Sequence, residues 1–148
     1  MRRAVWSVVL VGFIVCSGVC PAVAGTSPAM LIEAVEKALP SGFELDESGE
    51  DGENAYAVFK KGPQTVIAFN LQNKTDVEFF DTENLTVQEH EAVFYHAGTE
   101  KNGGLVVYLK GGASYLVIGY NKPYMGDEIV TKTELVEIAE KVDLGRLE

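Results

Sequence analysis

The stretch "LVVYLKGGASYLVIGY", residues 105–120, decides how this chain folds. Gly111 and Gly112 separate two apolar runs, which is the pattern of a β-hairpin closed by a tight turn. With the two glycines as a two-residue turn, Leu109 opposes Ser114, Tyr108 opposes Tyr115, Val107 opposes Leu116 and Val106 opposes Val117. Side chains alternate along a strand. One face therefore carries Leu105, Val107, Leu109, Leu116 and Ile118, and the other carries Val106, Tyr108, Tyr115 and Val117. Neither face is polar, whereas an antiparallel sheet with one wet side alternates apolar and polar residues.

The run "AYAVFKKGPQTVIAFNL" (55–71) repeats the pattern. With Gly62-Pro63 as its turn, Tyr56, Val58, Ile67 and Phe69 share one face, and Ala57, Phe59, Val66 and Ala68 share the other. The expected sheet is thus apolar on both sides. Either both sides are covered or one of them is a binding surface, because bare apolar area costs roughly 25 cal/mol per Å². A covering segment is present in "DVEFFDTENL" (76–85), whose Phe79, Phe80 and Leu85 could fold back over the second face. Otherwise that face is a groove or interface, with Phe59, Val66, Tyr108 and Tyr115 as its candidate binding residues.

Two helices are expected against the sheet. Ser27 followed by Pro28 reads as an N-cap and first helical residue, and Leu31, Ala34, Val35, Ala38 and Leu39 then fall on one face before "PSG". Near the end, Thr131 and Glu134 form a capping-box pattern ahead of the stripe Leu135, Ile138, Ala139 and Val142. Strands are read at 43–46, 55–61, 64–71, 87–96, 105–110 and 114–120, with a longer loop at 72–85. The expected architecture is one α+β domain over 25–148. It has a mostly antiparallel five- to six-stranded sheet, with an N-terminal and a C-terminal helix packed on one face.

Residues 1–24 have the layout of a secretory signal. Arg2 and Arg3 precede a run without charge, and "AVA" stands before Gly25 as a small-x-small cleavage site. The uncharged stretch 4–24, at about 1.5 Å per residue, would also span a bilayer of roughly 30 Å, so an uncleaved anchor is the alternative. Either arrangement places the rest of the chain outside the cytoplasm. Cleavage would remove Cys16, Cys20 and Trp6, and with them any disulfide, thiol nucleophile or soft metal ligand. Losing the two arginines from the 12 basic residues leaves 10 Lys+Arg against 22 Asp+Glu, and the net charge moves from −10 to −12. That charge disfavours nucleic acid and anionic membrane surfaces. The only membrane association foreseen is through an uncleaved N-terminal segment.

The chain's two histidines lie in "HEAVFYH" (90–96). On a strand they share a face but stand about 20 Å apart at roughly 3.3 Å per residue, too far for one metal. The pattern H-E-x-x-H is absent, because Val93 and Phe94 follow Ala92. A small metal-dependent or acid–base hydrolase using His90 or His96 with Glu89 or Glu91 is the enzymatic alternative. The acidic run 46–53 fails the EF-hand count, since Asp51 stands where the sixth-position glycine is needed and Ala57 at the twelfth, and it reads instead as a solvated hairpin tip. "GASYL" lacks the second glycine of a nucleophile elbow, and no phosphate-binding glycine motif occurs. No motif implies a cofactor. Asn73-Lys74-Thr75 and Asn84-Leu85-Thr86 are glycosylation sequons that matter only in a glycosylating host.

The final third, "GGASYLVIGYNKPYMGDEIVTKTELVEIAEKV" (111–142), resembles the end of small prokaryotic cell-envelope domains of unknown function, of the lipoprotein and anti-sigma-factor-tail type. The likeness consists of a strand, a short loop and a helix with the pattern Glu-Leu-x-x-Ile-Ala-Glu. The chain departs from the lipoprotein members in its cysteines, since Cys16 and Cys20 both follow Val. The resemblance implies an extracytoplasmic, non-enzymatic module and supplies no catalytic residue. The expected function is binding of a partner protein or a small apolar ligand on the second sheet face, with a homodimer through the sheet as one form of it.

Overall fold

In a computed structural model, which describes residues 26–73, 79, 81–109 and 112–148, the chain is α+β with one antiparallel sheet and two helices. The signal-like residues 1–24 lie outside the described residues. Seven strands, rather than five or six, form the sheet: β1 (Glu44–Asp51), β2 (Asn54–Lys61), β3 (Thr65–Asn73), β4 (Glu83–Val87), β5 (His90–His96), β6 (Asn102–Tyr108) and β7 (Ser114–Asn121). Their order is β1-β2-β3-β7-β6-β5-β4, so a three-stranded meander and a four-stranded meander join along β3 and β7.

The two additional stretches of strand have distinct causes. The acidic residues 46–51 extend β1 rather than forming a solvated hairpin tip, and the turn comes at Gly52 and Glu53. An edge strand tolerates such a run because charge blunts its open edge. β1 is exposed nearly throughout and bulges at Asp46, which pairs with Lys60 at 2.6 Å. β4 arises because the chain reverses at Gln88-Glu89, which separates Glu83–Val87 from His90–His96. Both turn residues have positive φ, 48° and 69°, the conformation that glycine or asparagine usually occupies.

Helices α1 (Pro28–Val35) and α2 (Lys132–Ala139) precede and follow the sheet in sequence. Ser27 Oγ accepts from Met30 N at 3.3 Å, with proline at the start of α1. Thr131 and Glu134 close both halves of the capping box on α2. The apolar stripes of the two helices are buried with the inward side chains of the sheet, including Ala57, Phe59, Ile67, Phe69, Leu105, Val107, Leu116 and Ile118. Gly103 admits α2's approach: a Cβ there would lie 2.5 Å from Val130 Cγ1 and 3.3 Å from Leu135 Cδ1. Among the described residues no helix is long and apolar enough to cross a membrane.

The hairpin of residues 105–120 has the register read from its glycines: Tyr108 pairs with Tyr115, Val107 with Leu116 and Val106 with Val117. The Gly62-Pro63 hairpin does not. Its turn holds three residues, 62–64, so Phe59 pairs with Ile67 and Ala57 with Phe69. A one-residue slip exchanges the faces of one strand relative to the other. Phe59 consequently belongs to the core beside Phe69, with ring centroids 5.9 Å apart, and Tyr56 and Val58 join Val66 and Ala68 on the opposite face.

Candidate functional site: the sheet face opposite the helices

β2 and β3 alternate between buried residues toward the helices and half-buried residues on the other face. Cross-strand pairing joins Val58, Ala68, Gly119, Gly104 and Tyr95 into one row of this outer face, and Tyr56, Asn70, Val117, Val106 and Val93 into the next. No charged side chain occurs in either row. Charge enters at the margins, with Glu47 and Lys60 at the β1–β2 side and Glu91 on β5. For a chain with 34 charged residues in 148, two adjacent rows without one mark a segregated surface.

The face is uneven in height. Tyr95 lies across Gly104, where a Cβ would come within 2.2 Å of Tyr95 Cζ, and Phe79 stacks on Tyr95 at 5.1 Å with 30° between the planes. Burial raises the Tyr95 hydroxyl pKa. Tyr56 similarly lies over Gly49, its hydroxyl 2.8 Å from a Cβ built there. Its hydroxyl donates to Glu47 Oε1 at 2.9 Å, and that bond, with the carboxylate's charge, raises its pKa. Gly119, the third glycine of the face, has among the described residues only Ala68 O, at 4.0 Å, beside an added Cβ. Ridges of aromatic rings therefore flank a shallow trough at Ala68, Gly119 and Val117.

The four residues expected to bind are divided. Val66 and Tyr108 are half-buried on this face, whereas Phe59, 3% exposed, faces the helices. Tyr115 is on the outer face but is 3% exposed, its hydroxyl donating to Gln72 Oε1 at 2.9 Å and its ring tilted against Tyr108 at 6.2 Å. Tyr108 also borders two open clefts, of about 430 Å³ with Asn84, Ala92 and Val93 and about 290 Å³ with His90, Leu109 and Gly112. Of the expected covering segment, residues 76–78 and Phe80 lie outside the described residues. Phe79 reaches the outer face, and Leu85 pairs with Ala92 and packs toward the core. Sequence reasoning missed Tyr56, Val58 and Tyr95; the glycines opposite two of them, Gly49 and Gly104, were the available signal.

The two histidines stand at opposite ends of β5. His90 is 8% exposed, and its two ring nitrogens face Gln88 O at 2.9 Å and Glu148 Oε1 at 2.6 Å. Its carboxylate neighbour is thus Glu148, and strand alternation turns Glu91 to the opposite face. Gln88 Nε2 donates to Ala139 O and Val142 O, at 2.8 and 2.9 Å, which caps the carbonyl end of α2. His96 is exposed and meets Phe94 edge-on at 5.0 Å. Among the described residues no group of three or more His, Cys, Asp or Glu is placed to hold a metal.

Near the N-terminus of α2, Lys122 Nζ donates to Glu134 Oε1 at 2.6 Å and to Ile129 O at 2.7 Å, and stands 5.4 Å from the Tyr120 ring centroid. Burial alone would raise the Glu134 carboxyl pKa. Hydrogen bonds from Lys122 and from the Thr131 N–H and hydroxyl, with the charge of Lys122, outweigh burial and hold it below the ordinary carboxylate value. Compared with known proteins, the chain matches no family model, and neither a curated protein nor a solved structure matches it.

Proposed function

We propose that this chain is an extracytoplasmic, non-enzymatic interaction module that holds a partner protein or a small apolar ligand on the sheet face opposite its helices. The observation that carries this reading is the pair of charge-free rows centred on Val58, Ala68, Gly119 and Val117 in an otherwise acidic chain. Half-buried apolar side chains gain from further removal from water, at roughly 25 cal/mol per Å². Charge kept to the margin is the arrangement of an interface core with a polar rim. Location outside the cytoplasm rests on the signal layout of residues 1–24 and on the resemblance to envelope domains.

The test is fluorescence of the apolar dye 1-anilinonaphthalene-8-sulfonate with dilute exported protein, its N-terminus identified by intact mass. Enhancement that Val66→Glu and Val117→Glu abolish, and that Thr133→Glu on α2 leaves intact, is the expected result. Enhancement indifferent to all three substitutions, or none at all, contradicts the reading.

A further inference from the structure

We infer that the occupant of this face is a second copy of the same chain, in a two-fold homodimer built sheet on sheet. The inference rests on the binding reading above and names its partner. Three observations support it.

The first is charge. A partner of another kind would be recruited to a chain of net charge −10 by basic groups meeting its acids, and an interface serving that purpose would display the acids. The outer face withdraws them from its centre. It is the surface on which two acidic copies can meet without opposing like charges. The sheet edge at β1 offers the contrary case, since Glu44, Asp46, Glu47, Glu50 and Asp51 would face their own copies across an edge-to-edge pairing.

The second is relief. A two-fold interface must be complementary to itself, each feature on one copy meeting its counterpart on the other. Here the ridge of Tyr95 and Phe79 stands over Gly104 on β6, and the trough of Gly119 and Ala68 lies beside it on β7 and β3. An axis running between β6 and β7, in the plane between two facing sheets, places each ridge in the other copy's trough. Within one copy, tyrosine rings already lie over Gly49 and Gly104. The partner's Phe79 and Tyr95 would extend the same ring-over-glycine packing to Gly119.

The third is area. The five strands β2, β3, β7, β6 and β5 contribute to the face. At about 4.8 Å between strands and about 3.3 Å per residue over roughly six residues, it measures about 24 by 20 Å. Two such faces bury on the order of 1,000 Å² in total, the lower bound for a specific interface. An interface at that bound suits a weak, reversible association.

Sedimentation equilibrium of the exported protein over a wide concentration range tests this. The expected result is a reversible monomer–dimer equilibrium, weakened at least tenfold by Ala68→Arg and by Val117→Lys and unchanged by Thr133→Arg. The wild-type concentration dependence keeps the test valid should a variant fail to fold. A wild type that stays monomeric throughout overturns the inference, as does a dimer equally tight in folded Ala68→Arg. A monomeric wild type whose dye binding still depends on Val66 and Val117 overturns the dimer alone and leaves the binding reading standing.

Discussion

Tyr95 lies flat on Gly104, so close that a β-carbon there would sit 2.2 Å from the ring. Gly104 and Gly103 are neighbours in β6, yet they make room on opposite faces: Gly103 for Val130 and Leu135 under α2, Gly104 for a ring that itself carries Phe79. The two faces are thus assembled differently, one by helices and the other by aromatic side chains laid over glycine.

That difference sets an order of mutational cost. Gly103→Ala forces a methyl group into Val130 and Leu135 in the closed core and should cost about 1–3 kcal/mol in urea unfolding. Gly104→Ala displaces a half-buried ring that can swing toward solvent, and should cost less. Equal costs would contradict the assignment of the two faces.

The outer-face and core positions separate in the same way. Phe59→Ala should lose about 3–5 kcal/mol of stability, as core aromatics do. Tyr108→Ala, half-buried, should cost no more than about 1 kcal/mol while weakening association through the face. A large stability loss for Tyr108→Ala would place that ring in the core and remove it from the binding surface.

The turn at Gln88-Glu89 combines unfavourable backbone with favourable side-chain bonds. Glu89→Gly relieves a left-handed residue and should stabilise by about 0.5–1 kcal/mol in thermal unfolding. Gln88→Ala leaves Ala139 O and Val142 O without the amide that caps them, and should destabilise by about 1–3 kcal/mol. The two substitutions, one residue apart, are expected to act in opposite directions.

Acid should act through Glu134. Its pKa is lowered in the folded state, so the unfolded chain binds its proton more readily. The stability it contributes is present above the ordinary glutamate pKa and is lost as pH falls from there through the lowered folded value. Glu134→Gln keeps an acceptor for the Thr131 N–H but loses the charge paired with Lys122. It should therefore lower stability at neutral pH by no more than about 1 kcal/mol and flatten the acid limb of the stability–pH curve. An unchanged slope would remove Glu134 from acid sensitivity.

The fold was legible where local chemistry is explicit. Ser27-Pro28 and the Thr131–Glu134 capping box mark the two helix starts, and the glycines of the 105–120 hairpin set its register. It was illegible where tertiary context decides. Nothing local distinguishes a two-residue turn at Gly62-Pro63 from the three-residue turn observed, and that one residue moves Phe59 from the outer face to the core. Gln88-Glu89 carries no turn signature because its left-handed backbone is held by bonds to α2, 51 to 54 residues away. The acidic run resembles a solvated tip because an edge strand is itself solvated on both sides. For the candidate site, the two-sided apolarity was readable. The relief was not, because it depends on which tyrosine crosses which glycine.

The most direct test of self-association through this face is heteronuclear NMR of the exported protein as its concentration is raised. Concentration-dependent shifts confined to the amides and methyls around Val58, Val66, Ala68, Val117 and Gly119, with α2 silent, are the predicted result. Spectra that do not change with concentration, or shifts gathered on the helices or along β1, would contradict it.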